Sequence, residues 1–256
     1  MSKIKHDEQD RNSVAWKKLC DYVDKVAAEN YDEFSPLEEL GQELFAQIYT
    51  LPETISKLKN VKKVWLYGSN LKSIPPEIGE MEALEYFDPY TSYDLLWFPY
   101  EIIKCKNLKD SRVSTRALYG NYKNRKEFPC LDHNPARYFG ETVKCSVCSK
   151  IMNYEQTNQL WISLSVGTDI LPLLANLCSQ ECEDKLPKPP KGYVQFPHKG
   201  GSNKRFKLEP TEHEDRRNRI IITKTIQADI NEKISRKSTE TKDFPILKLI
   251  RKIWEK

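Results

Sequence analysis

The chain has 256 residues and a formal net charge of +4, a length that allows one large domain or two small ones. Its hydrophobic content of 39% and charged content of 30% are ordinary for a water-soluble protein, and so small a net charge gives no reason by itself to expect nucleic-acid binding. The first residues, MSKIKHDEQDRNSVAW, have no apolar signal-peptide core, and no run of about 18 apolar residues occurs. The sequence therefore predicts no transmembrane segment and a cytoplasmic location.

Residues 1–50 are predicted to form a helical cap. In SVAWKKLCDYVDKVAAEN the apolar residues recur at helical spacing after a possible N-cap at Ser13. A second helix is expected to begin at Ser35, because Ser35, Pro36 and Glu38 match a capping box with proline at the first helical position. Its predicted buried face consists of Leu37, Leu40, Leu44, Phe45 and Ile48.

Residues 51–131 contain an internal repeat with a step of 23 to 24 residues. The step relates Pro52, Pro75 and Pro99, then Ile55, Ile78 and Ile102, then Leu58, Met81 and Cys105, and finally Val61, Leu84 and Leu108. The unit resembles the leucine-rich repeat common in bacterial proteins, which reads L-P-x-x-I-x-x-L-x-x-L-x-x-L-x-L. The resemblance implies a short solenoid of about three units, each adding a strand and a return segment to one shared core.

The repeat departs from the family pattern in three places. Ser69 stands at the turn where asparagine is expected, Pro89 interrupts the second strand, and Ser111 occupies a core position of the third copy. The solenoid is therefore degenerate and is expected to need covers at both ends, with the N-terminal helices as one of them. Cys105 lies at a core position and is predicted to be a buried structural thiol.

Residues 132–201 contain two close pairs of cysteines. Cys145 and Cys148 lie in KCSVCSK, and Cys178 and Cys182 lie in NLCSQEC, with 29 residues between the pairs. Because thiols stay reduced in the cytoplasm, clustered cysteines favour a metal site over disulfides. The spacing resembles treble-clef zinc fingers whose second pair reads C-S-x-x-C, and the resemblance implies that these four cysteines hold a structural Zn²⁺ with no open coordination position.

Other interpretations of these cysteines stay open at the level of sequence. They could be a chance cluster or a redox dithiol, and Cys130 and His133 are alternative ligands with poorer spacing. Between the two pairs, QLWISLSV alternates and predicts a strand with one solvent-exposed face that carries Trp161, Ser163 and Ser165.

Residues 202–256 are predicted to be a basic extension with a strand in RNRIIITKTI and an amphipathic helix in DFPILKLIRKIWEK. Residues 201–256 hold 15 Lys and Arg against 9 Asp and Glu, so the positive charge is concentrated there. The helix could pack on the body or contact lipid or nucleic acid. Nucleic-acid binding through the zinc module and this tail is therefore the rival functional interpretation.

The sequence offers little evidence for catalysis. It contains no phosphate-binding glycine loop, HExxH helix or GxSxG elbow. His198, in FPHKGG, is a candidate contact residue, although a histidine in a surface loop usually has no such role. A minor alternative is a ubiquitin-ligase-like effector, because bacterial ubiquitin ligases join leucine-rich repeats to a catalytic domain with a C-x-D nucleophile. Short stretches at Cys130 and Cys182 match C-x-D, but the region after the repeat is too short for that catalytic domain.

The combined prediction is an α+β protein in which a leucine-rich-repeat solenoid with N-terminal capping helices precedes a small zinc-binding module. We expect a non-enzymatic function in which the strand face of the repeats binds a protein partner. The exposed strand positions that are expected to contact this partner are Lys63, Trp65, Tyr67, Tyr86, Asp88 and Tyr90.

Overall fold

The structure is a computed structural model that describes residues 8–121, 126–132 and 135–201. These residues all belong to one unit spanning Met1–Leu208. They combine short helices with three small sheets, so the predicted α+β class is confirmed. The predicted strand and amphipathic helix of residues 202–256, and His133, lie outside the described residues.

Helix α1, Val14–Ala28, begins where the sequence predicts it. The side chain of Ser13 accepts a hydrogen bond from the backbone N–H of Trp16 at 3.2 Å, which satisfies one of the free donors of the first turn. One face of α1 is buried through Ala15, Trp16, Leu19, Tyr22, Val23 and Val26. The helix therefore packs along one stripe, as its apolar spacing requires.

The prediction of one continuous second helix is wrong. Two short helices, α2 (Pro36–Leu40) and α3 (Gln42–Phe45), are separated by Gly41, whose φ of 77° is incompatible with a right-handed helix. The N–H of Gly41 donates to the carbonyl of Leu37 and closes α2. Ser35 makes no side-chain capping hydrogen bond, so the apparent capping box is not used. Leu40, Phe45 and Ile48 are nevertheless buried as expected.

The repeated segments lie side by side in a parallel sheet. Its strands are β1 (Glu33–Phe34), β2 (Lys63–Trp65), β3 (Tyr86–Asp88) and β5 (Asp110–Ser111). The short strand β4 (Phe98–Pro99), which lies between β3 and β5 in the chain, belongs to another sheet. Val64 pairs with Phe87, which pairs with Ser111, so neighbouring strands keep the step of the sequence repeat. The inward-facing Val64 and Phe87 are buried.

A 3₁₀ helix follows the proline of each repeat. These helices, Glu53–Lys57, Pro76–Glu80 and Tyr100–Lys104, pack against one another in sequence order and bury Ile55, Ile78 and Ile102. Gly79 marks the closest approach between two of them, because a Cβ atom there would lie 2.4 Å from the carbonyl oxygen of Glu101. The repeat period therefore appears in the return segments as well as in the strands.

The second half of the described chain is built on hairpins. Strands β6 (Thr142–Lys144) and β7 (Ile151–Asn153) form one, and the longer β8 (Asn158–Val166) and β9 (Asp169–Leu177) pair along their whole length. β4 adds to β9 in parallel, which joins the third repeat to the second hairpin. The helix α4 (Gln180–Asp184) follows β9.

The prediction that β8 has a solvent-exposed face is wrong. Trp161 and Ser163 are buried, and of the three expected outward residues only Ser165 is exposed. Trp161 lies in an aromatic cluster with Trp97, Tyr119 and Phe128, at ring-centroid distances of 5.6–5.9 Å. Its indole N–H donates to the carbonyl of Pro129 at 2.9 Å. Residues distant in sequence therefore cover the face of β8 that the alternation of apolar and polar residues predicts to be exposed.

One main hydrophobic core runs through the described chain from α1 to α4. The predicted boundaries at residues 50, 131 and 201 stay predictions. Ser111 occupies its predicted core position as a polar link, because its hydroxyl oxygen lies 2.9 Å from the carboxylate of Asp169 and 3.1 Å from the carbonyl oxygen of Val166, either of which can accept its one proton. Within the described ranges every helix is too short or too polar to cross a lipid bilayer.

Candidate metal centre and strand surface

The four paired cysteines converge on one point. The Sγ atoms of Cys145, Cys148, Cys178 and Cys182 all lie within 4.8 Å of one another. The separation is 3.5 Å between Cys148 and Cys178 and 3.6 Å between Cys178 and Cys182. Zinc with four bonds of about 2.3 Å requires sulfur atoms about 3.8 Å apart, so the donor set and its dimensions suit a metal ion such as zinc.

The first pair of cysteines lies on the turn between β6 and β7. Cys145 follows β6 directly, and its backbone N–H donates to the carbonyl of Lys150 at 2.8 Å. Ser149 returns a hydrogen bond to the carbonyl of Cys145 and adopts a left-handed φ of 63°. The turn buries Cys145 and leaves Cys148 exposed.

The second pair lies at the junction of β9 and α4. Cys178 is the first residue after β9, and Ser179 caps α4 by accepting the backbone N–H of Cys182. Both sulfurs are therefore at the beginning of a short helix, close to the cysteines of the β6–β7 turn.

The pKa values of the thiols reflect this crowding. Burial raises the pKa of Cys145, but backbone N–H groups of Cys148, Val147 and Cys178 point to its sulfur and bring it to about 6. The Ser179 hydroxyl lowers the pKa of Cys182, but burial and the three neighbouring thiols raise it to about 12. The Cys145 thiolate is thus favoured while Cys182 resists ionisation, and a bound divalent cation would favour the thiolate form at both positions.

A buried polar network holds the two cysteine pairs together. The backbone N–H of Ser146 donates to the carbonyl of Asn176 at 2.7 Å, and the N–H of Asn176 donates back to the Ser146 hydroxyl at 2.9 Å. The side-chain amide of Gln159, on β8, donates to the Asn176 side-chain oxygen at 2.8 Å. The sequence analysis did not single out Ser146, Gln159 or Asn176. The available signal was their position, because Ser146 lies between two cysteines of a turn and the other two are polar residues within apolar strands.

The alternative ligand Cys130 lies outside the cysteine cluster. Its sulfur lies 3.8 Å from a carboxylate oxygen of Asp132. Cys105 is buried, as predicted, with its thiol donating to the carbonyl of Ile78. Burial raises the pKa of Cys105 to about 12, which leaves it an unreactive core residue.

His198 is a buried residue rather than a surface one. It is 2% exposed, its ring meets Phe128 edge-on at 4.7 Å, and its Nδ1 accepts the backbone N–H of Gly200. Its backbone exchanges two hydrogen bonds with Trp161 on β8. These contacts give His198 an anchoring role for the segment that follows α4.

Five of the six predicted partner-contacting residues retain accessible side-chain surface on β2, β3 and the turns that follow them. The rings of Trp65 and Tyr86 contact each other in a tilted arrangement with centroids 4.9 Å apart, and the centroids of Tyr67 and Tyr90 lie 6.1 Å apart. We call these four rings the aromatic face. Tyr67 is 49% exposed and Tyr90 is 37% exposed, while Trp65 and Tyr86 are partly covered. The exposed Lys63 forms an ion pair at 2.7 Å with Glu33 of β1.

The expectation that Asp88 is exposed is wrong, because it is only 2% exposed. Its carboxylate accepts the backbone N–H of Tyr90 at 2.9 Å and the hydroxyl of Tyr86 at 3.2 Å, and Arg112 lies 3.7 Å away. An aspartate that binds the backbone two residues later stabilises a turn. Asp88 therefore holds the turn beneath Tyr86 and Tyr90, and the predicted contact of Asp88 with a partner stays a prediction.

Comparison of the chain with models of known protein families finds no match, and comparison with curated proteins finds none either.

Proposed function

We propose that the protein is a non-enzymatic protein–protein interaction module, built on a short leucine-rich-repeat solenoid and stabilised by a structural zinc ion. The observation that carries the proposal is the aromatic face, where two pairs of rings contact each other across neighbouring parallel strands and their turns and keep solvent-accessible surface. Stacked strands of repeat proteins form extended surfaces that bind polypeptides.

The solenoid is supported by two repeating features. Strands β2, β3 and β5 and the three 3₁₀ helices recur with the step of the sequence repeat. The repeat strands are also covered at both ends, because β1 pairs with β2 at one end and Ser111 of β5 contacts the β8–β9 turn at the other. Covered ends are what a solenoid of so few units requires, because each unit buries its apolar face only against neighbours.

The aromatic face has the properties of a binding surface. Tyrosine and tryptophan supply large contact areas and are enriched among residues that dominate binding energy. Trp65 donates its indole N–H to Glu33 at 2.9 Å, and Tyr86 donates its hydroxyl to Asp88, so both rings are already oriented. These two side chains would then lose little conformational entropy when a partner binds. Arg112, whose guanidinium lies 4.5 Å from the Tyr90 ring centroid, supplies a charged rim.

The proposed zinc ion has a structural role. Four protein thiolates fill a tetrahedral site and leave no position for a substrate or an activated water. The ion would join the β6–β7 turn to the end of β9, and β9 pairs with β4 of the third repeat. Metal binding would thus contribute to folding of the body that carries the aromatic face.

Affinity purification from an extract of the source organism tests the interaction, with the full chain as bait. The surface variants are Trp65→Ala with Tyr86→Ala, and Tyr67→Ala with Tyr90→Ala. The matched control is Tyr31→Ala with Phe196→Ala, which removes two exposed rings from other segments. We expect a protein recovered by the wild type and the control to be lost from both surface variants at unchanged melting temperature. Equal recovery by all four proteins contradicts the proposal.

A gel-shift titration separates this proposal from nucleic-acid binding by the zinc module and the basic tail. Phosphate contacts weaken steeply with salt, so tight binding to DNA or RNA that falls strongly between low and moderate ionic strength would favour the rival. We expect no such binding. The same preparation with the aromatic-face variants provides the control, because those substitutions leave every lysine and arginine in place.

A further inference from the structure

A cleft of about 390 Å³ lies on the side of the 3₁₀ helices, between them and the β6–β7 hairpin. Glu77 and Glu101 enter it from two successive 3₁₀ helices, and Tyr138 enters it from the segment before β6. Phe139 and Ile151, which are 61% and 66% exposed, line it with apolar surface. None of these residues belongs to the cysteine cluster or to the aromatic face.

Glu101 is a buried carboxyl group with an unused oxygen. Its side chain is 5% exposed, and its Oε2 has no hydrogen-bond partner among the described residues. The Ser146 side chain lies near enough to lower the pKa of this carboxyl group, and Gly79 closely approaches the Glu101 backbone. Burial raises the pKa of Glu101 to about 7, and the positive charge of Lys104 offsets only part of this effect.

Two further polar groups lie beside Glu101. The hydroxyl of Tyr138 is buried and, within the part of the chain that the structure describes, has no hydrogen-bond partner. Burial raises the pKa of Tyr138 well above its usual value, so the hydroxyl stays neutral and can either donate or accept. Burial also raises the pKa of Glu77, and the charges of Glu77 and Glu101 each act on Tyr138.

The cleft has more acidic groups than basic ones to pair with them. Glu53 is bound by both guanidinium nitrogens of Arg11 at 2.9 and 3.0 Å, and Glu80 lies 3.8 Å from Lys144. Neither Glu77 nor Glu101 forms an ion pair within residues 8–121, 126–132 and 135–201. Lys104 and Lys144 also line the cleft, and each lowers the pKa of one of these carboxyl groups from a distance. Glu77 and Glu101 are therefore the lining glutamates that a bound cation could still pair with directly.

We propose that this cleft binds an alkylammonium group, with its head accepted by Glu101, Glu77 and the Tyr138 hydroxyl and its stem lying along Phe139 and Ile151. An ammonium group has three donors and no acceptor, which matches two carboxylates and one hydroxyl. Calcium and magnesium prefer six or more oxygen ligands, whereas much of this cleft is apolar. The group could belong to a free diamine or to a lysine side chain of a polypeptide.

Isothermal titration of the full zinc-loaded chain tests the proposal with two probes. Cadaverine represents a free diamine, and N-acetyl-lysine methylamide represents a peptide lysine. We expect at least one probe to bind, and Glu101→Gln to weaken that binding by about tenfold or more, since a buried charged hydrogen-bond acceptor is lost. Glu82→Gln is the matched control, because Glu82 is an exposed glutamate outside the cleft. Glu77→Gln is a second test with an expected smaller loss.

The two probes identify the source of the ammonium group. Binding of cadaverine alone points to a free amine, binding of the lysine derivative alone points to a polypeptide, and binding of both points to recognition of the shared head. No saturable binding of either probe up to about 10 mM overturns the proposal. Equal loss in Glu101→Gln and Glu82→Gln also overturns it, as does calcium binding that neither amine displaces. The result is independent of the aromatic face, whose variants are expected to bind both probes normally.

Discussion

Replacing Glu101 by glutamine is expected to stabilise the protein at alkaline pH. The pKa of Glu101 is about 7 in the folded protein against 4.5 as its ordinary value, chiefly because burial disfavours the charged carboxylate. Folding therefore favours the protonated form. The associated loss of stability is absent well below pH 4.5, grows as pH rises from 4.5 to about 7 and is complete above that.

The difference between these two pKa values is equivalent to roughly 3 kcal/mol of unfolding free energy above neutral pH. Glutamine has nearly the same shape and carries no charge, so Glu101→Gln removes this penalty. The gain over the wild type should be roughly 3 kcal/mol at about pH 8 and roughly 1 kcal/mol at about pH 5.5, where much of the native carboxyl group is already protonated.

Urea denaturation of the wild type and Glu101→Gln at both pH values measures this gain. Glu82→Gln, at an exposed site, should differ little from the wild type at either pH. Comparing variant with wild type at each pH removes any effect of pH on metal binding that the two proteins share. A variant that is less stable than the wild type at about pH 8, or a gain that does not depend on pH, would refute this reasoning.

Two other substitutions test the packing of the repeats and the support of the cysteine site. Gly79→Ala should lower the unfolding free energy by about 1–3 kcal/mol, because the new Cβ would lie 2.4 Å from the Glu101 carbonyl oxygen. An unchanged midpoint of urea denaturation would contradict this packing. Ser146→Ala should lower the unfolding free energy by about 1–3 kcal/mol, since the buried N–H of Asn176 loses its acceptor. The same variant should transfer its metal to a chelator faster than the wild type. Ser149→Ala, at an exposed position of the same turn, is the control for that transfer rate.

Sequence periodicity predicts the repeated strands and return segments, because each repeat buries the same positions against its neighbours, whereas the 3₁₀ form of the return segments is visible only in the structure. Val64 and Phe87 are buried at equivalent positions, and Ile55, Ile78 and Ile102 lie at the same point of each return segment. The cysteine cluster is equally predictable, since two short-spaced pairs need only one turn and one helix start to converge.

The incorrect predictions depend on contacts or conformations that local patterns do not encode. The capping-box pattern at Ser35 is present, but the positive φ of Gly41 divides the helix and the serine side chain makes no capping hydrogen bond. The exposed face predicted for β8 is covered because Trp161 packs on aromatic residues from distant segments. Asp88 occupies an outward strand position, yet its carboxylate turns to the backbone of Tyr90 and becomes buried.

Metal content is the most direct test of the cysteine site that joins the two hairpins. Elemental analysis by mass spectrometry should find one zinc ion per chain in the purified wild type and in Cys20→Ser, whose changed thiol lies on α1 outside the cluster. Cys145→Ser should lose the zinc and melt at a lower temperature, because the buried sulfur is one of only four donors. A wild-type chain without bound metal, or a Cys145→Ser chain that keeps both its zinc and its melting temperature, would contradict a structural metal centre at these four cysteines.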